Sequence, residues 1–247
     1  MRLTLSFALA TLTVATLPAQ VTHKFPPDSL LNTRVIPRAT PPLQVIGTMR
    51  NFAGNLGVRC QYCHEGTEGQ DLAEFDFASD AKRTKRTARE MMKMVAEVNR
   101  RLDSLPERQA PSVQVTCATC HRGVARPVPL SQIVADAAQS SGADSALRAY
   151  KALRERYYGG DAYNFTEPSL NTAAFRLARG GKIAEAIAIL DFNEGMYPAS
   201  TGLAVFRGNV LLMKGDTSAA AAAFHEALRR DPTNGEAQGR LRTIGRP

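Results

Sequence analysis

The sequence predicts a mainly α-helical protein with a small N-terminal domain followed by a region of repeated helix pairs. Three observations lead to this fold class. Two C-x-x-C-H runs lie at residues 60–64 and 117–121, and apolar residues recur at helical spacing upstream of each run. Small residues, glycine and proline repeat every 34 residues near the C-terminus.

The two C-x-x-C-H runs predict covalently bound haem. In each run, two nearby thiols can form thioether bonds with the vinyl groups of one haem, and the adjacent histidine can bind the iron as proximal ligand. The runs use all 4 cysteines of the chain, so no thiol remains for a disulfide or a zinc site. One run alone could be a thioredoxin-like redox pair, but two runs favour two haem c groups. The predicted attachment and iron-binding residues are Cys60, Cys63, His64, Cys117, Cys120 and His121.

The N-terminus is typical of a secretory signal peptide. Arg2 precedes an apolar stretch at residues 3–17, and Ala19 ends a small-residue cleavage site. The stretch is short for a membrane span, so an uncleaved anchor is the less favoured alternative. Export agrees with the haem prediction, because c-type haem is attached outside the cytoplasm. We therefore expect a periplasmic protein whose only route to the membrane is an uncleaved signal.

Composition divides the chain into segments. A proline-rich stretch precedes the two runs, and a stretch of small and polar residues separates them from an alanine-rich helical region. The predicted segments are a signal peptide at 1–20, an extended lead-in at 21–41, a dihaem cytochrome c domain at 42–128, a linker at 129–141 and tetratricopeptide-like helical repeats at 142–247.

The C-terminal region contains an internal repeat. Gly181 and Gly215 are 34 residues apart, and so are Ala186 and Ala220, which is the tetratricopeptide period. Each unit consists of a helix, a glycine-containing turn, a second helix and a proline. The predicted helices are 170–179, 183–196, 203–213 and 217–230, with 143–157 before them and 235–243 after them. A helical bundle without repeats is the alternative.

A helix before the first run offers a sixth iron ligand. Leu43, Ile46, Met49, Phe52 and Leu56 recur at helical spacing, and glycines follow near the end of the stretch. A helix ending there would lie across the haem face, and its methionine sulfur could reach the iron. Core packing is the alternative role for this methionine.

A second helix, at 87–102, precedes the second run. It carries Met91 and Met94, and a loop with two prolines leads from it back to the run. Met91 is the predicted sixth ligand of the second iron, with Met94 as the main competitor and core packing as the other alternative. His23 and His225 are less well placed as ligands.

These segments resemble the photosynthetic reaction-centre cytochrome c subunit family. The similarity is carried by residues 49–64 at the first run, and by residues 88–94 with 115–123 at the second. In that family a helix-borne methionine precedes each such run and binds the iron. The resemblance therefore implies that Met49 and Met91 are axial ligands.

The resemblance indicates a dihaem relative of that family. It covers residues 42–128, whereas the family's subunit carries four haems and this chain has runs for two. The chain also adds the repeat region. A photosynthetic partner does not follow from the resemblance.

Closed His/Met coordination of both irons favours electron transfer over catalysis, because no coordination position remains for a substrate. We expect outside redox proteins as partners, docked through the helical repeats. A dihaem peroxidase-type enzyme and a periplasmic scaffold with a secondary haem domain are the alternatives. Basic residues give a formal net charge of +8, but they are scattered, so nucleic-acid binding is not expected.

Two shorter features carry weaker predictions. Residues 82–86 form the only dense basic run, and a solvated helix face is its favoured interpretation. Pairing with haem propionates and docking of an acidic partner are the alternatives. Phe75 and Phe77 follow the first run and are expected to wall the first haem pocket, the alternative being a surface turn.

Overall fold

The computed structural model describes residues 24–107 and 111–245. Within these ranges the chain forms nine α-helices, two short 3-10 turns and no strand, which confirms the mainly α fold class. None of the described helices combines the length and apolar character that crossing a membrane requires. The predicted signal peptide and His23 lie outside the described residues.

The helices follow one another in chain order. They are α1 (Pro42–Leu56), α2 (Arg83–Asp103), α3 (Cys117–His121), α4 (Leu130–Tyr157), α5 (Glu167–Arg179), α6 (Ile183–Met196), α7 (Thr201–Lys214), α8 (Thr217–Arg230) and α9 (Gly235–Ile244).

The chain divides into two compact units. Of the described residues, the first comprises 24–53, 59–107 and 111–114, and the second comprises 54–58 and 115–245. The first C-x-x-C-H run therefore belongs to the first unit, whereas the second run belongs to the unit that holds the C-terminal helices. The predicted domain at 42–128 coincides with neither unit.

The first unit buries few side chains. Among its described residues, only Phe75 and Lys85 are buried. Helix α1 carries the predicted apolar stripe, yet none of its residues is buried. The apolar stripe of α1 therefore remains partly accessible rather than enclosed in a protein core.

The second unit contains the repeated helix pairs. Helices α6 and α8 have the predicted bounds, and α5, α7 and α9 lie close to theirs. Helix α5 packs mainly on α6, and α7 packs mainly on α8. Side chains of Ser200, Asp216 and Asn234 accept hydrogen bonds from the first turns of α7, α8 and α9, which satisfies N–H groups that have no partner inside the helix.

The prediction of a linker at 129–141 is wrong. This segment is the first half of α4, and Leu130, Val134 and Ala138 are buried along one of its faces. Pro129 directly precedes the helix, where proline is tolerated because the first N–H groups lack intrahelical partners. The backbone leaves helical angles at Ser141 and Gly142, so the predicted helix start at 143 marks a kink.

The two helix-pair repeats, α5–α6 and α7–α8, pack side chains of different size at one equivalent contact. In the α7–α8 repeat, a Cβ built on Gly208 would lie 2.5 Å from the ring of Phe224. Phe224 is 0% exposed, so the ring has little room to move. The positions 34 residues earlier are Ala174 and Leu190, both buried. Where the first helix of the pair carries alanine instead of glycine, the second helix thus carries leucine instead of the larger phenylalanine.

We expect Gly208→Ala to lower the free energy of unfolding by about 1–3 kcal/mol, because its methyl group would overlap an enclosed ring. The higher helix propensity of alanine opposes this loss by about 1 kcal/mol. Adding Phe224→Leu reproduces the alanine–leucine pair of the α5–α6 repeat. The double variant should therefore be more stable than Gly208→Ala alone. Urea titration of the three proteins measures this, and a stabilising Gly208→Ala would contradict it.

Candidate functional site

The first C-x-x-C-H run folds into one tight turn. Cys60–Tyr62 form a 3-10 turn, and the N–H groups of Cys63 and His64 both donate to the Cys60 carbonyl, at 3.2 and 3.0 Å. The thiols of Cys60 and Cys63 are free. The turn therefore keeps two thiols and one imidazole within a short arc of chain.

One thiol in each run has a raised pKa. Burial raises the pKa of the Cys63 thiol, while the hydroxyl of Thr84 and the ammonium of Lys82 act in the opposite direction. Burial also raises the pKa of the Cys117 thiol in the second run. A thioredoxin-like dithiol has a thiol of lowered pKa, and neither Cys63 nor Cys117 shows that direction.

An aromatic cluster stands beside the first histidine. The ring of Phe77 lies 4.9 Å from the His64 ring, centroid to centroid, in an edge-on arrangement. Phe75, which is buried, stacks on Phe77 at 5.5 Å, and Phe25 of the lead-in contacts Phe77 at the same distance. These contacts place an aromatic cluster beside His64, and its role as a wall of the first haem pocket stays a prediction.

The His64 imidazole is held in its neutral form. Burial lowers its pKa to about 4, and the positive charge of Lys85 adds to the shift. The backbone of Phe77 acts in the opposite direction, although Nδ1 of His64 makes no hydrogen bond within the described residues. At neutral pH the ring therefore keeps a lone pair, which an iron ligand requires.

The start of α2 clamps the first run. The ammonium of Lys82 donates to the Gln61 carbonyl, and the hydroxyl of Thr84 donates to the Tyr62 carbonyl. Gln61 and Tyr62 are the two residues between the cysteines of the run. Helix α2 thus fixes the segment that carries both thiols.

Lys85 clamps the segment after the run. Its Nζ donates to the carbonyls of Phe77, Ala78 and Ser79, at 2.8, 3.1 and 2.6 Å. Arg86 donates to the Ala81 carbonyl at 2.7 Å. The interpretation of residues 82–86 as a solvated face is therefore wrong for Lys82 and Lys85, whose ammonium groups donate to backbone carbonyls, whereas Arg83 and Arg86 are exposed.

Asp80 ties the lead-in to this clamp. Its carboxylate accepts from Arg89 at 2.7 Å and lies 3.2 Å from Nζ of Lys85. Arg89 also donates to the Asn32 carbonyl, and the Asn32 amide donates to Ala78. Arg89 holds the pKa of Asp80 well below its usual range. The lead-in is therefore hydrogen-bonded to the first unit rather than simply extended.

The second run forms the short helix α3. Thr116 and Thr119 form a reciprocal capping box at its start, and Arg122 ends it in the left-handed region at φ 48°. This turn places Nδ1 of His121 2.9 Å from the carbonyl oxygen of Val124. Since a carbonyl can only accept, Nδ1 carries the proton and Nε2 keeps its lone pair for a metal.

The end of α1 packs on the turn after the second run. The N–H of Gly123 donates to the Asn55 carbonyl at 2.8 Å. Gly57 has φ +64°, and a Cβ there would lie 2.0 Å from the Gly123 oxygen. Only glycine allows this approach of two backbones.

The predicted methionine ligands differ in exposure. Met49 is half-buried on α1. On α2, Met91 is 39% exposed and its competitor Met94 is 49% exposed. Both are too exposed to be core residues. The assignment of Met91 to the second iron stays a prediction, because α2 and the second run belong to different units.

The sequence did not predict the clamp residues Lys82, Thr84 and Lys85, or Asn32, which bonds the lead-in to Ala78 and Arg89. Their acceptors are carbonyl groups, which every residue has, so no residue pattern marks them. The density of cations at 82–86 was the one available signal.

The comparison with known families matches the part of the chain that contains both runs. Residues 60–156 match the photosynthetic reaction centre cytochrome C subunit family. The resemblance inferred from the residues around the two runs is therefore confirmed over this range. The match ends within α4, before α5, and Met49 lies upstream of it.

A cytochrome is also among the similar proteins. Cytochrome c-554 of Chloroflexus aurantiacus is 43% identical over 70 residues, which is 28% of this chain. The matched part spans 14% of that cytochrome. Both similarities are thus to c-type cytochromes, and each covers only part of the chain.

The residues present suit haem c. The donor set of each run is two thiols and a histidine, and the cysteines are free. The buried neutral ring of His64 and the fixed tautomer of His121 both leave a nitrogen lone pair available. Among the described residues, no three His, Cys, Asp or Glu side chains are grouped to hold a bare metal ion. The residues of each run are thus compatible with haem attachment.

Proposed function

We propose that the chain is an exported dihaem c-type cytochrome that carries electrons between redox proteins. The observation that carries the proposal is the local fold of the two runs, each with two free thiols and a histidine whose ring can bind iron. The similarity of residues 60–156 to reaction-centre cytochrome subunits, which spans both runs, supports it. Export rests on the signal-like N-terminal sequence.

Each run has a defined role in this proposal. Cys60 and Cys63 would hold one haem, and Cys117 with Cys120 would hold the other. The His64 ring and Nε2 of His121 would each supply a nitrogen ligand to an iron. When bound, haem c supplies a one-electron couple. The Phe77 ring packs edge-on against the His64 ring, and the Val124 carbonyl would keep Nε2 of His121 available to the iron.

The direct test is a haem count with a reduced-minus-oxidised spectrum of the purified, exported protein. We expect two covalently bound haems per chain, both low-spin, and no peroxide turnover. A count other than two would overturn the dihaem assignment. A five-coordinate high-spin haem with peroxide turnover would move the protein to the peroxidase class.

We further propose Met49 and Met91 as the sixth ligands. The exposure of Met91 argues against core packing, and Met94, which is also exposed, stays the competitor. The half-buried position of Met49 on α1, where no residue is buried, is consistent with it.

We expect Met49→Ala and Met91→Ala each to convert one of the two haems to a high-spin form and leave the other low-spin. A thioether bound to iron stabilises the reduced state, so loss of the thioether should also lower the potential of that haem. Electron paramagnetic resonance and redox titration measure both effects. Met94→Ala is the matched control, and a high-spin signal in that variant instead of Met91→Ala would assign Met94.

The repeat region is proposed to dock a redox partner. Helix α5 exposes Phe175, Arg176 and Arg179 along one face, and no ion pair to either arginine is present among the described residues. An unpaired pair of cations beside an exposed aromatic ring suits an acidic protein surface.

We expect Arg176→Glu/Arg179→Glu to slow electron transfer from the physiological reductant at least tenfold at low salt, with both haem potentials unchanged. Arg148→Glu/Arg242→Glu reverses the same amount of charge at two other exposed positions of this unit and is the matched control. Equal slowing in both variants would indicate a net-charge effect and would remove α5 as the docking face. Stopped-flow absorbance with a periplasmic extract as electron source gives the rates.

A further inference from the structure

We propose that Lys85 is a positioning residue for the first haem, which holds residues 77–79 against His64 and sets a buried positive charge beside that site. The inference rests on the proposed function, because it concerns the haem that His64 would bind.

The contacts of Lys85 are unusual for a lysine. The residue is 8% exposed, and its ammonium donates to three successive carbonyls, those of Phe77, Ala78 and Ser79. Lysine is rarely buried unless its charge is paired and hydrogen-bonded. Removal of the ammonium would leave three carbonyls without this donor. The segment would then be free to move.

The segment that Lys85 holds reaches the histidine directly. Phe77 contributes both a carbonyl to the ammonium, at 2.8 Å, and a ring to His64, at 4.9 Å. Lys85 therefore acts on the His64 ring through one residue. On the other side of the run, Lys82 and Thr84 hold the residues between the cysteines. The start of α2 thus hydrogen-bonds both to the run itself and to the segment that follows it.

The charge of Lys85 is only partly neutralised. Asp80 is the carboxylate that contacts it, and Asp80 also pairs with Arg89 at 2.7 Å and with Arg34 at 3.5 Å. One carboxylate therefore serves three cations. Asp76, on the same segment, is the further acidic group that acts on Lys85. A residual positive charge in a partly buried site favours the state of an iron centre with one positive charge fewer, which is the reduced state.

Redox titration of the full-length holoprotein tests the proposal. We expect Lys85→Met to lower one of the two haem potentials by about 59 mV and to leave the other unchanged. For a one-electron couple, that shift is a tenfold change in the reduced-to-oxidised ratio at a given potential. Asp80→Asn removes the negative partner and keeps Lys85, so it should raise the same potential. Simple loosening of the segment would not shift the potential in opposite directions.

Lys93→Met is the matched control. Lys93 lies on the same helix, is exposed and pairs with Glu90 at 2.8 Å, so its loss removes one charge without touching residues 77–79. Neither potential should move in this variant. Hydrogen exchange gives a readout independent of the haem, since the amides of residues 77–80 should exchange faster in Lys85→Met than in Lys93→Met.

The outcomes separate this inference from the proposed function. A wild-type protein without covalent haem would overturn the function itself. A wild-type protein with two haems whose potentials do not respond to Lys85→Met would overturn the role of Lys85 alone. If Lys85→Met does not retain haem, the redox titration of Asp80→Asn becomes the test. A lowered or unchanged potential in Asp80→Asn would then contradict the proposal.

Discussion

Replacement of Cys60 and Cys63 by serine is expected to remove one covalently bound haem per chain and to leave the other in place. A serine hydroxyl does not form the thioether bond, and the histidine alone gives only dissociable binding. The second run lies in the other compact unit and has its own capping box, so its attachment should persist. Intact-protein mass spectrometry should show the loss of one haem mass, and a pyridine haemochrome assay should give one haem per chain.

The mirror variant, Cys117→Ser with Cys120→Ser, is the matched control. It should lose the other haem and keep the one at Cys60 and Cys63. The two variants should therefore have different remaining potentials that together reproduce the wild-type titration. Loss of both haems in either variant, with unchanged far-ultraviolet circular dichroism, would show that the two attachments are not independent. Retention of two haems would contradict the assignment of the altered run.

The repeat helices were predictable because their signal is local and is given twice. The spacing of glycine and alanine at 181, 186, 215 and 220 fixes the turns and the close helix contacts, and α6 and α8 have the predicted bounds. Each helix pair buries its small residues against its neighbour. A pattern of that kind can be recognised from the sequence without knowing which groups are in contact.

The first half of α4 was missed for the opposite reason. Its buried residues are Leu130, Val134, Ala135 and Ala138, and alanine and serine fill most of the remaining positions. Such residues bury little apolar area, so the helical period is weak in the sequence. Packing against α5 and α6 stabilises the helix, and that contribution is tertiary.

The candidate site also contains residues that the sequence predicts and residues that it does not. Cysteine and histidine could be assigned because covalent attachment fixes their spacing within five residues. The clamp on residues 77–79 could not, because Lys85 binds backbone carbonyls that carry no residue signature. The sixth ligands stay predictions, since a ligand from a distant helix is set by tertiary structure rather than by spacing.

Gly57→Ala is expected to lower the free energy of unfolding by about 2–5 kcal/mol, through a left-handed backbone and a clash between backbones. At φ +64° an alanine is strained, and its Cβ would lie 2.0 Å from the Gly123 oxygen and 2.9 Å from the Gly123 carbonyl carbon. No side chain can turn aside to relieve this overlap. The end of α1 must then move away from Gly123, which breaks the 2.8 Å hydrogen bond from the Gly123 N–H to the Asn55 carbonyl. The turn that follows His121 would lose that support.

Gly69→Ala separates the two causes. Gly69 also has a left-handed backbone, at φ +81°, but no atom lies within 4 Å of the position a Cβ would take. Its substitution should therefore cost only the conformational part, about 1–2 kcal/mol. Guanidinium titration of both holoproteins gives the difference, which measures the clash at Gly57. Equal destabilisation would mean that the contact between Gly57 and Gly123 relaxes without cost. A larger loss at Gly57, together with reduced haem occupancy at Cys117 and Cys120, would show that the end of α1 supports the second run.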